Sequence, residues 1–250
     1  MNTIIKKISD NFKENVDSVH KLVNFDEIVQ MFYLDGLKRA EKGLKKYGAE
    51  DHPNYSVKNQ IKSISNIREN KSLRPHYEAM LNQCIVLLVS YFASAVEDIF
   101  ELSLPYRIRN RPLSKLRREE IKITLGDLEQ IDFNVLDNIG RIVVAKKQMS
   151  FQDMQSIANA FKDYFNFKPE KDKDVNNIIL GQACRNSIVH SGGIINDKII
   201  KQISKAKPRD LKGDLKVREK VQFNSGEIDI VATSMTCYIN GLITSLHEHL

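Results

Sequence analysis

The chain is poor in the residues that interrupt helices. Among 250 residues there are 11 glycines and 6 prolines, which argues against a turn-rich β architecture and favours helices. Cysteine is scarcer still. Cys84, Cys184 and Cys237 are an odd number, far apart and without CxxC spacing, so neither a disulfide framework nor a zinc site is expected. Each lies among apolar neighbours in a predicted helix and reads as a small core residue. No uninterrupted apolar run approaches the length of about 18 residues that suggests a membrane span. The N-terminus mixes Lys6 and Lys7 into its apolar positions and lacks the apolar core and cleavage site of a secretory signal. The expectation is a cytoplasmic protein with no membrane partner. There is no GxGxxG or Walker A loop, which disfavours nucleotide hydrolysis, and no internal repeat or low-complexity tract.

What is present is a globular composition, 42% hydrophobic and 28% charged, in a length that suits one domain. The net charge of +6 is unevenly placed. Residues 107–118 carry six basic side chains and no acid, and residues 198–220 carry nine against three acids. Such segments either contact phosphate backbones or are solvated linkers. The candidates for contact with nucleic acid are Arg107, Arg109 and Arg111 in the first, and Lys205, Lys207 and Arg209 in the second.

Apolar spacing predicts an amphipathic helix over 4–19. A second is expected from Asn24, set up as an N-cap with Glu27 in a capping box, to the Tyr47-Gly48 stop. Residues 50–71 read as a polar connection. The strongest helix spans 74–104 and ends at Pro105. Its middle, 84–100, is apolar almost all round, as in the central helix of a bundle. One polar line, Ser90, Ser94, Glu97 and Glu101, runs down it at spacings of 4, 3 and 4. This line faces a cleft or lies at the exposed edge. Further helices are expected over 135–147, over 151–165 with Ser150 as cap and Asp153 in the first turn, and from an Asp174 cap to His190, with Gly192-Gly193 as the stop. Residues 215–223 alternate like a short extended piece. Asn224 or Ser225 then caps a last helix over 227–247. The sum is six or seven helices in one all-α domain.

One segment carries chemistry. Arg185-Asn186-Ser187-Ile188-Val189-His190 precedes Ser191-Gly192-Gly193 at a predicted helix end. Arginine holds a phosphate through two parallel hydrogen bonds. Histidine is suited to moving protons near neutral pH. Together they serve RNA phosphodiester cleavage with no cofactor or metal: a 2′-hydroxyl attacks phosphorus, and the leaving 5′-oxygen is protonated. Val175, Ile179, Ala183, Asn186 and His190 share a stripe, which reads as a buried or interface face. Arg185 lies about 140° away around the helix, with a side chain long enough to curl back. Acid and base roles want two imidazoles and one chain offers one here, so a two-fold dimer that faces the motifs is expected.

The segment resembles the Arg-x(4–6)-His motif of HEPN domains, including the asparagine that follows the arginine. Residues 87–98, Leu-Leu-Val-Ser-Tyr-Phe-Ala-Ser-Ala-Val-Glu-Asp, are similar to the first core helix of the RiboL-PSP type. So are Ser150-Phe151-Gln152 and Phe161-Lys162-Asp163-Tyr164-Phe165 upstream of the motif. The resemblance covers about residues 75–200. It implies an up-and-down helical bundle that dimerises across the motif, and a metal-independent endoribonuclease that leaves a 2′,3′-cyclic phosphate. It also implies a bacterial toxin or anti-phage effector with an antitoxin or defence-system partner. By motif position Arg185 and His190 are catalytic and Asn186 supports them, with Ser90 and Glu97 on a second wall of the cleft. The expected layout is a single domain: residues 1–70 an N-terminal helical extension, 72–200 the core with motif helix 174–190, 198–223 a basic insert, and 225–249 the C-terminal helix. The alternatives are a non-catalytic nucleic-acid- or nucleotide-binding or regulatory protein, and a structural adaptor.

Overall fold

The computed structural model describes residues 2–48, 57–70, 78–110, 116–213 and 215–249, with only the backbone of 2, 3, 117 and 249. Among these residues the chain forms ten α-helices and no strand, an all-α fold. The long helix α4 (Glu78–Asn110), 33 residues and so about 50 Å, is the axis of the molecule. Leu88, Phe92, Val96, Ile99, Phe100 and Leu104 along it are fully buried. An 18-residue window of α4 has a mean hydropathy of 1.7, apolar and long enough to cross a membrane, although no uninterrupted apolar run suggested one. That window is 56% buried within the body of the chain, as befits a central core helix.

Pro105 does not end α4, as the sequence suggested; the helix continues to Asn110. Proline removes the N–H that would reach the carbonyl of Glu101 and crowds that carbonyl. Helix α6 (Ile139–Lys146) packs there, with Gly140 against the Glu101 backbone. A Cβ at 140 would lie inside the van der Waals radius of that oxygen, so the close approach requires glycine.

Helix α1 (Asn2–Val23) inserts Ile5, Phe12, Val16, Val19 and Val23 into the core. Phe12 meets Phe92 edge-on, with ring centroids 6.4 Å apart. The leading helix is thus part of the body rather than an extension of it. Helix α2 (Phe25–Lys46) follows almost without a break. Asn24 makes no side-chain cap and has φ −99 and ψ 8, where capping needs extended backbone. Its N–H donates to the His20 carbonyl, and its own carbonyl accepts from the Ile28 N–H, so the helical ladder crosses it. The polar connection instead contains helix α3 (Val57–Glu69), which leans on α2. This pair stands away from the body: only Asp26 and Leu34 of α2 are buried, while Phe25 and Phe32 are 55% and 69% exposed.

The other helices close the core. Helix α5 (Leu125–Glu129) is short and opens on a Thr124–Asp127 capping box. Helix α7 (Met154–Phe165) is capped by Asp153, not Ser150; the Ser150 hydroxyl accepts from the Gln152 N–H in the preceding turn. Phe151, Phe161, Tyr164 and Phe165 surround the Phe100 ring at 5.4–5.7 Å between centroids. Helix α8 (Lys173–Ser191) is capped by Asp172, while Asp174, the expected cap, accepts from the Ser234 hydroxyl. Helix α9 (Asp197–Ile203), capped by Asn196, was hidden by its lysines; its Ile199 and Ile203 are buried.

The alternating segment before the last helix makes one antiparallel bridge, Ile194 to Lys220, with Val221 and Phe223 buried. Helix α10 (Ser225–His249) starts from a reciprocal Asn224–Glu227 pair. Ile228, Val231, Met235, Tyr238, Ile239, Leu242 and Leu246, at helical spacing along it, are buried. Cys237 departs from the sequence reading: it is exposed, on the outer face of α10 beside Thr233. Cys84 and Cys184 are buried, and burial pushes their thiols up to about 11 and about 12, which makes them inert.

Candidate active site

Helix α8 carries the motif, and the polar side chains buried along it explain why its end is fixed. Asn176, Asn177, Gln182 and Ser187 are buried on it, and each fastens another segment. Asn176 Nδ2 donates to the Pro208 carbonyl at 2.9 Å. Asn177 Nδ2 donates to the Ser234 hydroxyl of α10, and its Oδ1 accepts from the Asp210 N–H. Gln182 Oε1 accepts from the Met154 N–H at the start of α7. The Ser187 hydroxyl donates to the Ile194 carbonyl at 2.8 Å. Each of these bonds ties a buried polar side chain of α8 to a neighbouring segment and so favours one arrangement of them. Sequence reasoning passed over these four; the signal was amides and a hydroxyl set among Val175, Ile178, Leu180, Ala183 and Cys184 on one helix, where they must find internal partners.

The helix stops where the glycines predict. Gly192 is left-handed at φ 58, and its N–H caps the Ser187 carbonyl; Gly193, at φ 81, donates to the same oxygen at 2.9 Å. The chain beyond is strapped down by Val221 N–H to Gly193 O, and by Ile195 paired with Glu219 and Arg218. The basic segment therefore braces the end of the motif helix.

Arg185 and Asn186 come together. Arg185 Nη1 donates to Asn186 Oδ1 at 3.1 Å. Both residues are half-buried, and the enclosed Nε of Arg185 has no hydrogen-bond partner among the described residues. The bond takes up the asparagine oxygen, so Asn186 orients the arginine, leaving its own Nδ2 as a donor. His190, one turn beyond Asn186 on the stripe, is exposed and makes no hydrogen bond or ion pair among the described residues. The stripe is buried at Val175 and Ala183, half-buried at Ile179 and Asn186, and open at His190. It is a face that emerges from the core at the motif.

The polar line of α4 lies at the surface rather than in the core. Ser94 is exposed, while Ser90, Glu97 and Glu101 are half-buried. The Ser90 hydroxyl donates back to the Val86 carbonyl. No hydrogen bond or ion pair among the described residues joins Ser90 or Glu97 to Arg185, Asn186 or His190. Burial, then repulsion from Asp98, raises the Glu97 carboxyl above its ordinary value. Burial, then Glu97 and Asp98, raises that of Glu101 against the opposing charge of Arg141.

The basic candidates separate sharply. Arg107 is buried. Arg109 is ion-paired with Asp137. Arg111 lies outside the described residues. Arg209 donates to the carbonyls of Ile203, Ala206, Leu211, Lys212 and Gly213 and so organises its own loop. Lys205 and Lys207 are exposed and place their ammonium groups in no ion pair among the described residues.

Compared with models of known protein families, with curated proteins and with solved structures, the chain matches none. Fold and site define an all-α protein whose central motif helix ends in an anchored arginine–asparagine pair and an open histidine.

Proposed function

We propose that the chain is a metal-independent endoribonuclease of HEPN type, a homodimer in which two copies of the motif face each other across a two-fold axis. The observation that carries this reading is the Arg185–Asn186 hydrogen bond beside an exposed His190. Asn186 engages Nη1 without neutralising the guanidinium, and Nη2, which makes no hydrogen bond among the described residues, is the group that grips a phosphate oxygen. His190 of one protomer accepts the 2′-hydroxyl proton as the 2′-oxygen bonds to phosphorus. His190 of the other protonates the 5′-oxygen as the P–O5′ bond breaks. Arg185 neutralises the charge that develops on the phosphoryl oxygens. The products are a 2′,3′-cyclic phosphate and a 5′-hydroxyl. A toxin or anti-phage effector held in check by a protein partner is the biological setting that fits such an activity.

Purified protein incubated with labelled single-stranded RNA tests the reading. Cleavage should persist in EDTA. His190→Ala should lower the rate by about 10²–10⁴-fold, the usual worth of a general acid or base. Asn186→Ala should lower it about tenfold, the worth of one hydrogen bond to a charged group. Helical content should be unchanged in each variant. Undiminished cleavage by both Arg185→Ala and His190→Ala would sink the proposal.

A further inference from the structure

The stripe that ends in Asn186 and His190 begins at a cavity. Val175, Ile179 and Gln182 form one wall of a 360 Å³ hollow, and the first turns of α7, through Met154 and Ala158, form another. That volume lies in the range of small-ligand sites. Lys168, Lys171 and Lys205 stand at the cavity, with Glu170 and Asp153 as the acids beside them. The Asp153 carboxylate is already engaged by the Ser156 N–H and hydroxyl. Lys171 Nζ donates to the Lys205 carbonyl at 2.8 Å, which ties the connection between α7 and α8 to the segment after α9. Lys168 and Lys205 are exposed and enter no ion pair among the described residues.

Gln182 is the buried polar residue in the wall of this cavity. Its side chain is almost fully buried, 1% exposed, and its Oε1 is held by the Met154 N–H at 3.1 Å. Reversing the amide would set N–H against N–H, so its direction is fixed. Its Nε2 then has no hydrogen-bond partner among the described residues, and an unpaired buried donor is costly. A bound group with a carbonyl at that point relieves the cost; a group with an amino there leaves two donors opposed.

We infer that this cavity takes one base of the single-stranded RNA substrate, with its phosphates at Lys168 and Lys205, and that Gln182 selects a keto base over an amino base. The strand's identity rests on the ribonuclease reading above. Gln182 lies eight residues before His190 on the same helix, about 12 Å along its axis, a span of a few nucleotides. Uracil and cytosine are nearly the same size and differ where one offers an acceptor and the other a donor. A donor-only pocket prefers uracil, because the wrong base leaves buried polar groups unpaired.

Binding of fluorescein-labelled oligouridylate and oligocytidylate to full-length protein carrying His190→Ala measures this without cleavage. Oligouridylate should bind about tenfold more tightly, the worth of one correct base contact. Gln182→Glu keeps the acceptor for Met154 and replaces the donor by an oxygen, so it should reverse the order. Ala158→Leu fills the hollow from the facing wall and should abolish the preference even if Gln182→Glu fails to fold. Equal binding of the two oligomers, binding of neither, or a preference that survives both substitutions overturns the inference. Because the readout is binding, a failed cleavage assay and a failed pocket are separate results.

Discussion

Asn186 does for Arg185 what a carboxylate would do at greater expense. An amide oxygen fixes one edge of the guanidinium at 3.1 Å without neutralising it, so the full positive charge stays available to an anion. The chain keeps its carboxylates elsewhere, in Glu97, Asp98 and Glu101 on the half-exposed side of α4. Burial and mutual repulsion raise the pKa values of Glu97 and Glu101 above their ordinary 4.5. The folded chain thus holds these protons more tightly than the unfolded chain. Their ionisation costs stability, which is fully present below the ordinary carboxylate range and lost as pH rises through the raised values. Glu101→Gln should therefore raise the melting temperature at neutral pH by up to about 3 °C, the effect of relieving less than about 1 kcal/mol of surface repulsion. The gain should fade as pH falls through and below the ordinary carboxylate range, where Glu101 takes up its proton in the folded and the unfolded chain alike. Thermal unfolding followed by circular dichroism across that range reads the result; a gain that persisted in acid would mean a packing effect instead.

At the level of elements, apolar periodicity was a dependable guide and end signals were not. The inward positions of α10 and the Gly192 stop of α8 were legible because they follow from helix period and from a backbone conformation that favours glycine. The caps at Asn24, Ser150 and Asp174 were misplaced because capping depends on the φ/ψ of the cap residue, which composition does not reveal. The exposed stripe of α2 was equally illegible: spacing shows that a helix has an apolar side, not that anything covers it. Pro105 misled for a more interesting reason. The sequence shows the lost N–H, but the compensation sits 35 residues on, where Gly140 lets α6 close over the Glu101 carbonyl. Neither side of that contact is a flexible tip, so Gly140→Ala must push two helices apart. We expect a loss of about 3 kcal/mol, the upper part of the overpacking range, and a melting temperature lower by about 10 °C for a chain of this size. A drop of less than about 2 °C would show that the α4–α6 contact yields.

For the molecule as a whole, the candidate site was legible as three residues and a helix end, and its setting was not. The sequence placed Arg185, Asn186 and His190 together; it did not reveal that Asn176, Asn177, Gln182 and Ser187 anchor α8 to its surroundings. Nor did it show that two of the basic candidates are spent on structure, Arg209 on its own loop and Arg109 on Asp137. What one chain leaves exposed is a stripe whose last residue, His190, has no hydrogen-bond or ion-pair partner among the described residues. If cleavage needs one histidine as base and the partner's as acid, the active species contains two intact chains. Mixing wild type with His190→Ala, with time for subunits to exchange, then yields intact pairs in proportion to the square of the wild-type fraction. An equal mixture at constant total protein should retain about a quarter of the wild-type rate. A chain that works alone, or a site in which one histidine suffices, would retain about half or more. The curvature of that titration, measured on one labelled RNA with protein well above the dimer dissociation constant, separates a shared site from two independent ones.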